Sequence, residues 1–331
     1  MSTNGKPKFS MYWAASCGGC SISVLNIHEK ILEVDANFEV VFWPVAMDAK
    51  YKDLRDMPDK SILLTFFNGG IRNDENAEVA RLLRKKSQIL VAFGSCATEG
   101  GIPGLGNLSS VNSMFETVYF TPSTENPGKT YPQSSFETPL GNLHLPKMYQ
   151  TLKALDQVID VDYYMPGCPP EPHQIEAVID LVIQVLNGKA ELPPKGSVIG
   201  AGPSTVCDEC LRTRNEKKIK EFRRIQDVAL IDPETCLLEQ GIPCNGPATR
   251  SGCDARCPAV GAQCIGCYGP ANGVIDYGAR LMSAFASVID SNDPAEIEKI
   301  LDTLPDPAGQ FYRFNLAKSM LRSSKYSWKG E

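Results

Sequence analysis

In this chain of 331 residues, the number and the spacing of the cysteines indicate metal-binding chemistry. Twelve cysteines occur either as Cys-x-x-Cys pairs or as single residues. Four thiolates hold one cubane iron–sulfur cluster, so the twelve supply three complete sets with none left over. We therefore predict three 4Fe–4S clusters and an electron-transfer function, with the ligands Cys17, Cys20, Cys96, Cys168, Cys207, Cys210, Cys236, Cys244, Cys253, Cys257, Cys264 and Cys267.

Disulfide bonds and structural zinc are the two other uses of so many cysteines. Disulfide frameworks are typical of short secreted domains, whereas this chain is long, is 43% hydrophobic and opens without a signal-peptide pattern. Zinc sites usually combine two close pairs, whereas here each pair must recruit distant single cysteines. Clusters in a reduced cytoplasm are the favoured interpretation, and a zinc-stabilised scaffold protein is the alternative from another class.

Net charge and hydropathy restrict the kinds of partner. The formal net charge of −6 argues against nucleic acid as the main partner. The sequence contains no run of about 18 or more apolar residues, so we expect no membrane span.

Short apolar runs alternate with helical stretches over residues 1–190, a pattern typical of a parallel α/β sheet. The predicted strands are Lys8–Ala15, Phe38–Val45, Ser61–Phe67, Gln88–Phe93 and Val161–Met165. The predicted helices are Ser21–Val34, with Ile22, Leu25, Ile31 and Leu32 on its apolar face, Glu75–Lys86 and Gln174–Leu186. These elements form the first of two predicted domains.

The first four cysteines follow the ends of these strands. Cys17, Cys96 and Cys168 each come just after a predicted strand, and Cys20 is three residues beyond Cys17. The carboxyl ends of parallel strands share one edge of the sheet, and ligands bind at that edge. Glycines beside the cysteines, such as Gly94 and Gly167, allow the tight turns that a bulky ligand requires. We therefore expect the four thiols to meet and to hold one cluster.

The second predicted domain spans residues 191–331. It follows a stretch rich in proline and glycine, Gly188–Gly202, and its eight cysteines all lie within Cys207–Cys267. Few β-branched runs occur there, so we expect a small domain organised by its clusters. Helices are predicted around Ile275–Ile289 and Pro294–Leu304, and the tail Phe311–Trp328 is expected to pack back on the body or on a partner.

The eight later cysteines can be shared between two clusters in more than one way. Chain order groups them as Cys207, Cys210, Cys236 and Cys244, and then as Cys253, Cys257, Cys264 and Cys267. However, Cys257-Pro258 is similar to the end of ferredoxin runs, in which the last cysteine often serves the other cluster. An interleaved sharing is therefore an open alternative.

No residue outside the cysteines forms a convincing catalytic group. His28, His144 and His173 are isolated and are expected to be structural or exposed. The chain has neither a P-loop nor a dinucleotide-binding fingerprint. Arg212–Arg224 carries seven basic residues, which form either a solvated face or a docking surface for an acidic electron-transfer partner. These residues supply no catalytic site, so catalysis must come from elsewhere.

Three motifs resemble the proximal-cluster motifs in the small subunit of nickel–iron hydrogenases. They are Cys17-Gly18-Gly19-Cys20, Gly94-Ser95-Cys96 and Pro166-Gly167-Cys168-Pro169-Pro170. The later cysteines also fall in the order of that family, so the resemblance covers nearly the whole chain. The chain is most similar to cytoplasmic methyl-viologen-reducing (deazaflavin-non-reducing) hydrogenases, which resemble the electron input module of heterodisulfide reductase complexes, and this similarity implies a role in methanogenesis. The deazaflavin-reducing hydrogenases are the close alternative. The small cluster-bearing subunit of respiratory complex I is disfavoured, because it typically has adjacent cysteines and one cluster.

This resemblance implies a flavodoxin-like doubly wound parallel sheet and a second, small cluster-binding domain of ferredoxin-like character. It implies that Cys17, Cys20, Cys96 and Cys168 hold the proximal cluster. It assigns Cys253, Cys257, Cys264 and Cys267 to the medial cluster, and Cys207, Cys210, Cys236 and Cys244 to the distal cluster. Uptake-type relatives have histidine where Cys207 stands and often proline near Cys257, so cysteine at both positions implies three four-iron clusters.

The resemblance also implies the reaction and the partners. The chain would be a subunit of an oxidoreductase acting on H2, with the nickel–iron site on a separate large subunit. Electrons would leave through an iron–sulfur or flavin partner of the heterodisulfide reductase type. The respiratory relatives carry a twin-arginine signal and a C-terminal anchor; neither is visible here, so we expect a cytoplasmic location.

Overall fold

The protein is described here from a computed structural model that covers residues 5–215 and 219–321. The strands in these residues are β1 Lys8–Trp13, β2 Glu39–Phe42, β3 Ile62–Asn68, β4 Ile71–Asn73, β5 Ser87–Phe93, β6 Ser135–Thr138, β7 Gly141–His144, β8 Met148–Lys153 and β9 Tyr163–Met165. Five of them form a sheet in the order β2-β1-β3-β5-β9, and all its neighbouring strands run parallel. This order is that of flavodoxin-like doubly wound sheets, so the predicted fold class is confirmed.

The α-helices of the described residues are α1 Gly19–Leu25, α2 Lys30–Asn37, α3 Tyr51–Asp56, α4 Asp74–Lys86, α5 Ser95–Glu99, α6 Val111–Phe120, α7 Pro172–Leu186, α8 Val206–Glu209, α9 Arg256–Ala259, α10 Tyr277–Ala286, α11 Pro294–Asp302 and α12 Pro307–Tyr312. Short 3₁₀ helices lie at Ile102–Leu108, Leu155–Gln157, Ile225–Asp227, Leu237–Gln240 and Leu316–Lys318. All five predicted strands of the main sheet are present, with bounds that differ by a few residues. The predicted helices α4, α7, α10 and α11 are also confirmed.

Both faces of the main sheet are covered, as expected for parallel strands with long apolar runs. On one face Phe66 stacks on Phe93 with ring centroids 4.8 Å apart, and Phe9 meets Phe66 edge to face at 5.4 Å. This face packs against α7 through residues such as Ile175. On the other face Phe67 and Leu83 lie in a second buried cluster, so the sheet has its own core on each side.

The prediction of one continuous helix over Ser21–Val34 is wrong. The chain forms α1 and α2 instead, and the turn between them places His28 in the left-handed region at φ 52°. The predicted apolar face required one unbroken helix, because residues three or four apart share a face only within the same helix. Ile22, Leu25 and Leu32 are instead 57%, 52% and 67% exposed.

The helix α6 and the strand pair β6–β7 are among the elements that were not predicted. α6 begins at Val111 with the Ser110 side chain accepting a hydrogen bond from the Ser113 N–H. The polar stretch after it contains the antiparallel pair β6–β7. Most residues of this pair are exposed, so it lacked the alternation of buried and exposed positions that identifies a strand.

The second half of the chain is built differently. Beyond α7, the described residues contain short helices and isolated bridges but no further strand. Its core places Cys244 and Cys264 among large apolar side chains such as Phe222 and Phe285. This half therefore has a loop-rich core with cysteines inside it, and its ferredoxin-like character stays a prediction.

Two segments join the halves. In the proline- and glycine-rich stretch, the Tyr164 N–H donates to the Ser197 carbonyl at 3.1 Å, so this stretch runs along β9 at the sheet edge. Near the C-terminus, the Gly101 N–H donates to the Phe314 carbonyl at 2.8 Å, and Lys318 Nζ lies 2.8 Å from Asp156 Oδ2. The prediction that the tail packs on the body is confirmed for residues 311–321, and residues 322–328 lie outside the described residues. The domain boundary near residue 190 stays a prediction.

Candidate metal centres

The first four cysteines meet at the carboxyl edge of the main sheet. Cys17 lies in the turn after β1, Cys20 is in α1, Cys96 is in α5 directly after β5, and Cys168 follows β9. Burial raises the pKa of Cys20, and the neighbouring thiols of Cys96, Cys168 and Cys17 raise it further. Burial and the Cys168 and Cys17 thiols likewise raise the pKa of Cys96 to about 12. The structure therefore brings together all four residues predicted for the proximal set.

Two glycines leave room beside these thiols. Gly94 has φ +82°, and a Cβ added there would collide with the Cys20 sulfur. Gly101 has φ +60°, and a Cβ would lie 2.5 Å from the Cys96 sulfur. Side chains at these positions would occupy the space around the thiols, so the glycines provide a cradle that suits a group larger than the sulfurs themselves.

The set that chain order predicts for the distal cluster lines a cavity. This cavity has a volume of about 350 Å³, and Cys207, Cys210, Cys236 and Cys244 all contribute to its wall. Burial and then the Cys244 and Cys236 thiols raise the pKa of Cys207 to about 12. Burial raises the pKa of Cys244 to about 11, although the N–H groups of Gly246 and Cys264 oppose the rise. The four thiols therefore share an open cavity, and backbone N–H groups donate to one of them, Cys244.

The remaining four cysteines form the third set. Burial and then the Cys253, Cys168 and Cys257 thiols raise the pKa of Cys267 to about 12. Asp254 and Ala255 have consecutive positive φ angles of 55° and 47°, which wrap the backbone around the Cys253 sulfur. The N–H groups of Ala255 and Arg256 consequently point at that sulfur and partly offset the effect of burial, which raises the pKa of Cys253.

The fourth member of this set, Cys264, is buried. Its sulfur lies 3.4 Å from Thr249 Oγ1, which in turn lies 2.8 Å from the Tyr277 hydroxyl. Neither Thr249 nor Tyr277 was predicted as part of the site. No sequence signal marks them, because their role depends on contacts made only in the folded chain.

The three sets touch one another in series. The backbone N–H of Cys168, in the proximal set, hydrogen-bonds the Cys267 thiol of the third set. The backbone N–H of Cys264, also in the third set, lies 3.3 Å from the Cys244 sulfur of the distal set. The third set therefore lies between the other two, as the name medial implies.

The donor sets fit clusters better than single metal ions. In residues 5–215 and 219–321, no three His, Cys, Asp or Glu side chains are grouped closely enough for one ion. A single zinc ion would need its thiolates roughly 4 Å apart, because each Zn–S bond is about 2.3 Å long. Buried thiols whose pKa is raised ionise only when a positive charge, such as that of a metal centre, lies beside them.

The histidines and basic residues that the sequence analysis considered do not form a further site in the described residues. His28, His144 and His173 are all exposed, as predicted. In the basic stretch, buried Arg212 donates to the carbonyls of Pro258, Asp232 and Thr235 and therefore has a structural role. Arg223 pairs with Glu221 at 2.5 Å, and Lys217 and Lys218 lie outside the described residues. No helix in the described part of the chain is long and apolar enough to cross a membrane.

Comparison with known sequences identifies related proteins. The family described as "NADH ubiquinone oxidoreductase, 20 Kd subunit" matches residues 17–182. The iron–sulfur subunit of the F420-non-reducing hydrogenase of Archaeoglobus profundus is 37% identical over 96% of this chain and 99% of that protein. A subunit of the vhu F420-non-reducing hydrogenase of Methanococcus voltae is 36% identical over 96% of this chain and 97% of that protein. The two hydrogenase relatives align with both halves of the chain, whereas the match to the 20 Kd subunit family ends at residue 182.

Solved structures share the fold at lower sequence identity. The recombinant [NiFeSe] hydrogenase of Desulfovibrio vulgaris Hildenborough superposes with a TM-score of 0.52 and 16% identity. That match covers 81% of this chain and 95% of the other. At this identity the similarity supports the fold alone.

Proposed function

Because the chain belongs to the family of iron–sulfur subunits of F420-non-reducing hydrogenases, we propose that it relays electrons through three 4Fe–4S clusters. Members of this family are small subunits of enzymes that act on H2, and their catalytic site lies on the large subunit. The chain is accordingly an iron–sulfur electron-transfer subunit of a hydrogenase. The observation that carries the proposal is the series of three cysteine sets that contact one another.

The ligand assignment that we propose follows the sets described above. Cys17, Cys20, Cys96 and Cys168 hold the proximal cluster, Cys253, Cys257, Cys264 and Cys267 the medial cluster, and Cys207, Cys210, Cys236 and Cys244 the distal cluster. The cavity lined by all four distal cysteines supports this sharing over the interleaved alternative. The thiol contacts of Cys267 with Cys253 and Cys257 support it as well.

The bound clusters supply stations that take up and release electrons one at a time. The residues of this chain keep those stations in series and apart from water. Cys244 and Cys264 are buried at the medial–distal contact, and the N–H groups around Cys253 and Cys244 favour the ionised thiols. Hydrogen bonds to sulfur and the burial of a cluster both adjust its potential, so these contacts also tune the transfer.

Two surfaces suggest where partners bind. Ile22 and Leu25 are exposed on α1, next to the proximal cysteines, and suit contact with the nickel–iron large subunit. At the other end of the series, Leu211 is 98% exposed beside Cys210, and Arg214 and Arg280 line the distal cavity. We assign this end to the electron acceptor, an iron–sulfur or flavin protein of the heterodisulfide reductase type used in methanogenesis. All twelve cysteines are free thiols, in keeping with a reducing cytoplasm.

Metal analysis of the native complex tests the proposal. Anaerobic purification through a tag on this chain should yield about four irons per cysteine set, with equal sulfide, and a co-purifying nickel-containing chain. Mass spectrometry of the remaining chains identifies the electron acceptor. A preparation with a few zinc ions, no iron and no paramagnetic signal after reduction would contradict the proposal and support a zinc-stabilised scaffold.

Substitution of Cys207 sharpens the distal assignment. A Cys207→His variant replaces a thiolate by a neutral imidazole, which removes negative charge and should raise the potential of the distal cluster alone. Redox titration followed by electron paramagnetic resonance measures all the potentials in one preparation. A distal potential that stays constant or falls would count against Cys207 as a ligand.

A further inference from the structure

Asn68 is a buried polar residue at the same sheet edge as the proximal cysteines. It ends β3, the central strand of the sheet, where it pairs with Trp13 of β1 and with Phe93 of β5. Each of those neighbouring strands leads within four residues to a proximal cysteine, Cys17 or Cys96. Asn68 therefore lies between two of the turns that carry the proximal ligands.

The side-chain amide of Asn68 has a donor without an acceptor. Asn68 is 0% exposed, and its Oδ1 accepts a hydrogen bond from Ser16 Oγ at 3.2 Å. Its Nδ2 is buried and has no hydrogen-bond partner among the described residues. Buried amide donors are nearly always paired, because an unpaired donor has lost its hydration without replacement. The missing acceptor must therefore come from outside the described polypeptide.

Ser16 connects this amide to the thiols. Its hydroxyl also accepts a hydrogen bond from the Gly18 N–H at 3.4 Å. The same hydroxyl lies within hydrogen-bonding reach of the Cys96 thiol, whose S–H can donate to it while the hydroxyl proton is directed at Asn68 Oδ1. Ser16 and Asn68 thus form a short polar network that begins at a proximal sulfur and ends at the unpaired Nδ2.

We infer that Asn68 donates a hydrogen bond from Nδ2 to a sulfur of the proximal cluster and that Ser16 orients the amide for it. This inference rests on the proposed function, because it requires a cluster at the proximal set. A reduced cluster carries one more negative charge than an oxidised one, so a donor to its sulfur stabilises the reduced form. Asn68 is therefore a residue that raises the proximal potential without being a ligand.

Two substitutions of similar volume test this role in the purified hydrogenase complex. Asn68→Leu removes the donor and should lower the midpoint potential of the proximal cluster. Asn68→Asp replaces the donor by an acceptor that carries negative charge, and it should lower the potential at least as far. Ser16→Ala should shift the potential in the same direction by a smaller amount. The medial and distal potentials should not change in any of these variants.

Asn107→Leu is the matched control. Asn107 is also a buried asparagine, but its amide donates to the Leu152 carbonyl at 2.9 Å and accepts from the Leu152 N–H at 2.7 Å. Its loss should lower the melting temperature and leave the proximal potential unchanged. A shift seen only in the Asn68 and Ser16 variants therefore cannot be a general effect of destabilisation.

A spectroscopic measurement gives a second readout. When the complex carries ¹⁵N-labelled asparagine, pulsed electron paramagnetic resonance of the reduced proximal cluster should detect a weak ¹⁵N coupling. This coupling should be absent in Asn68→Leu and retained in Asn107→Leu. If Asn68→Leu does not assemble, Ser16→Ala and Asn68→Asp still supply the potentials.

The outcomes separate this inference from the proposed function. Wild-type complex without iron at the proximal set would overturn both. Wild-type complex with a normal proximal signal, combined with unchanged potentials in all Asn68 variants, would overturn the inference alone. A rise of the potential in Asn68→Leu would also overturn it, because it would mean that the amide oxygen faces the cluster.

Discussion

The two halves of the molecule hold their cysteines by different means. In the first half, the sheet has an apolar core on each face, and the four proximal cysteines lie at its carboxyl edge in the turns and helix starts that follow the strands, with only Cys20 also in a core cluster. In the second half, cysteines belong to the core itself, and the elements around them are short helices such as α8 and α9. The difference predicts that the sheet positions the proximal cysteines, whereas the proposed medial and distal clusters would organise the protein around them.

Removal of the clusters is the strongest way to test this comparison. We expect residues of the second half to lose most of their protection from hydrogen exchange once iron is chelated, because no metal–sulfur bonds then hold the segments of their core together. β1, β3 and β5 should stay protected, because their apolar contacts need no metal. Hydrogen exchange with mass spectrometry on holo and apo protein measures both halves at once. Equal loss of protection in the two halves would refute the distinction.

Two single substitutions, one in each half, test the same difference between the halves. Cys244→Ser alters a buried core position, whereas Cys17→Ser alters an exposed turn. Each variant should lose about four irons, but Cys244→Ser should also expose the second half to exchange, and Cys17→Ser should leave the sheet intact. Iron content and hydrogen exchange together provide the measurement. Unfolding of the sheet in Cys17→Ser would show that the proximal cluster is structural as well.

Two glycines allow a finer comparison. Gly94, at φ 82° and ψ 160°, occupies a region that only glycine readily adopts, and a Cβ there would collide with the Cys20 sulfur. Gly246 is not among the residues with positive φ, and a Cβ there would lie 3.0 Å from the Cys207 sulfur. We expect Gly94→Ala to lose about 1–3 kcal/mol from backbone strain alone and to lose the proximal signal.

For Gly246→Ala we expect a smaller loss of stability, with an altered distal signal. Melting curves and paramagnetic resonance of each variant check this order. A larger loss of stability in Gly246→Ala than in Gly94→Ala would mean that the backbone beside the distal cysteines is the more rigid of the two.

The contact between the halves should respond weakly to pH. Glu99 of α5 is 14% exposed, and it lies 3.8 Å from Lys318 Nζ and packs against Gly269 of the second half. Burial raises the pKa of Glu99 to about 7, whereas Lys318 opposes the rise and Asp156 adds to it. The folded protein then binds a proton that the unfolded chain releases at lower pH, so Glu99 destabilises the fold as pH rises toward 7.

We therefore expect the melting temperature of Glu99→Gln, relative to wild type, to increase between about pH 4.5 and 7 and to stay level above pH 7. Glu298→Gln, an exposed change on α11, is the control and should show no such trend. A constant difference across this pH range would contradict the proton-linked role of Glu99.

Local sequence patterns were sufficient to predict the strands and the meeting of the first four cysteines, whose role as cluster ligands stays a prediction. Apolar runs of the right length end just before Cys17, Cys96 and Cys168, and the parallel arrangement brings those ends to one edge. The same reasoning failed for Ser21–Val34, because the backbone turns at His28 and no local pattern marked that turn. It also passed over Asn68, although the residue follows a strand, because an asparagine before two glycines is more often part of a turn.

The sequence by itself determined the number of thiols, the order of the strands along the chain and the resemblance to a family, since these depend on residue type and on neighbours close in sequence. Only the tertiary structure decided which of the later cysteines share a cavity, which sets touch, and that the segment around Lys318 returns to the first half. These features join residues far apart in the chain. Their energies come from burial and from the loss of water, which exist only after the chain has folded.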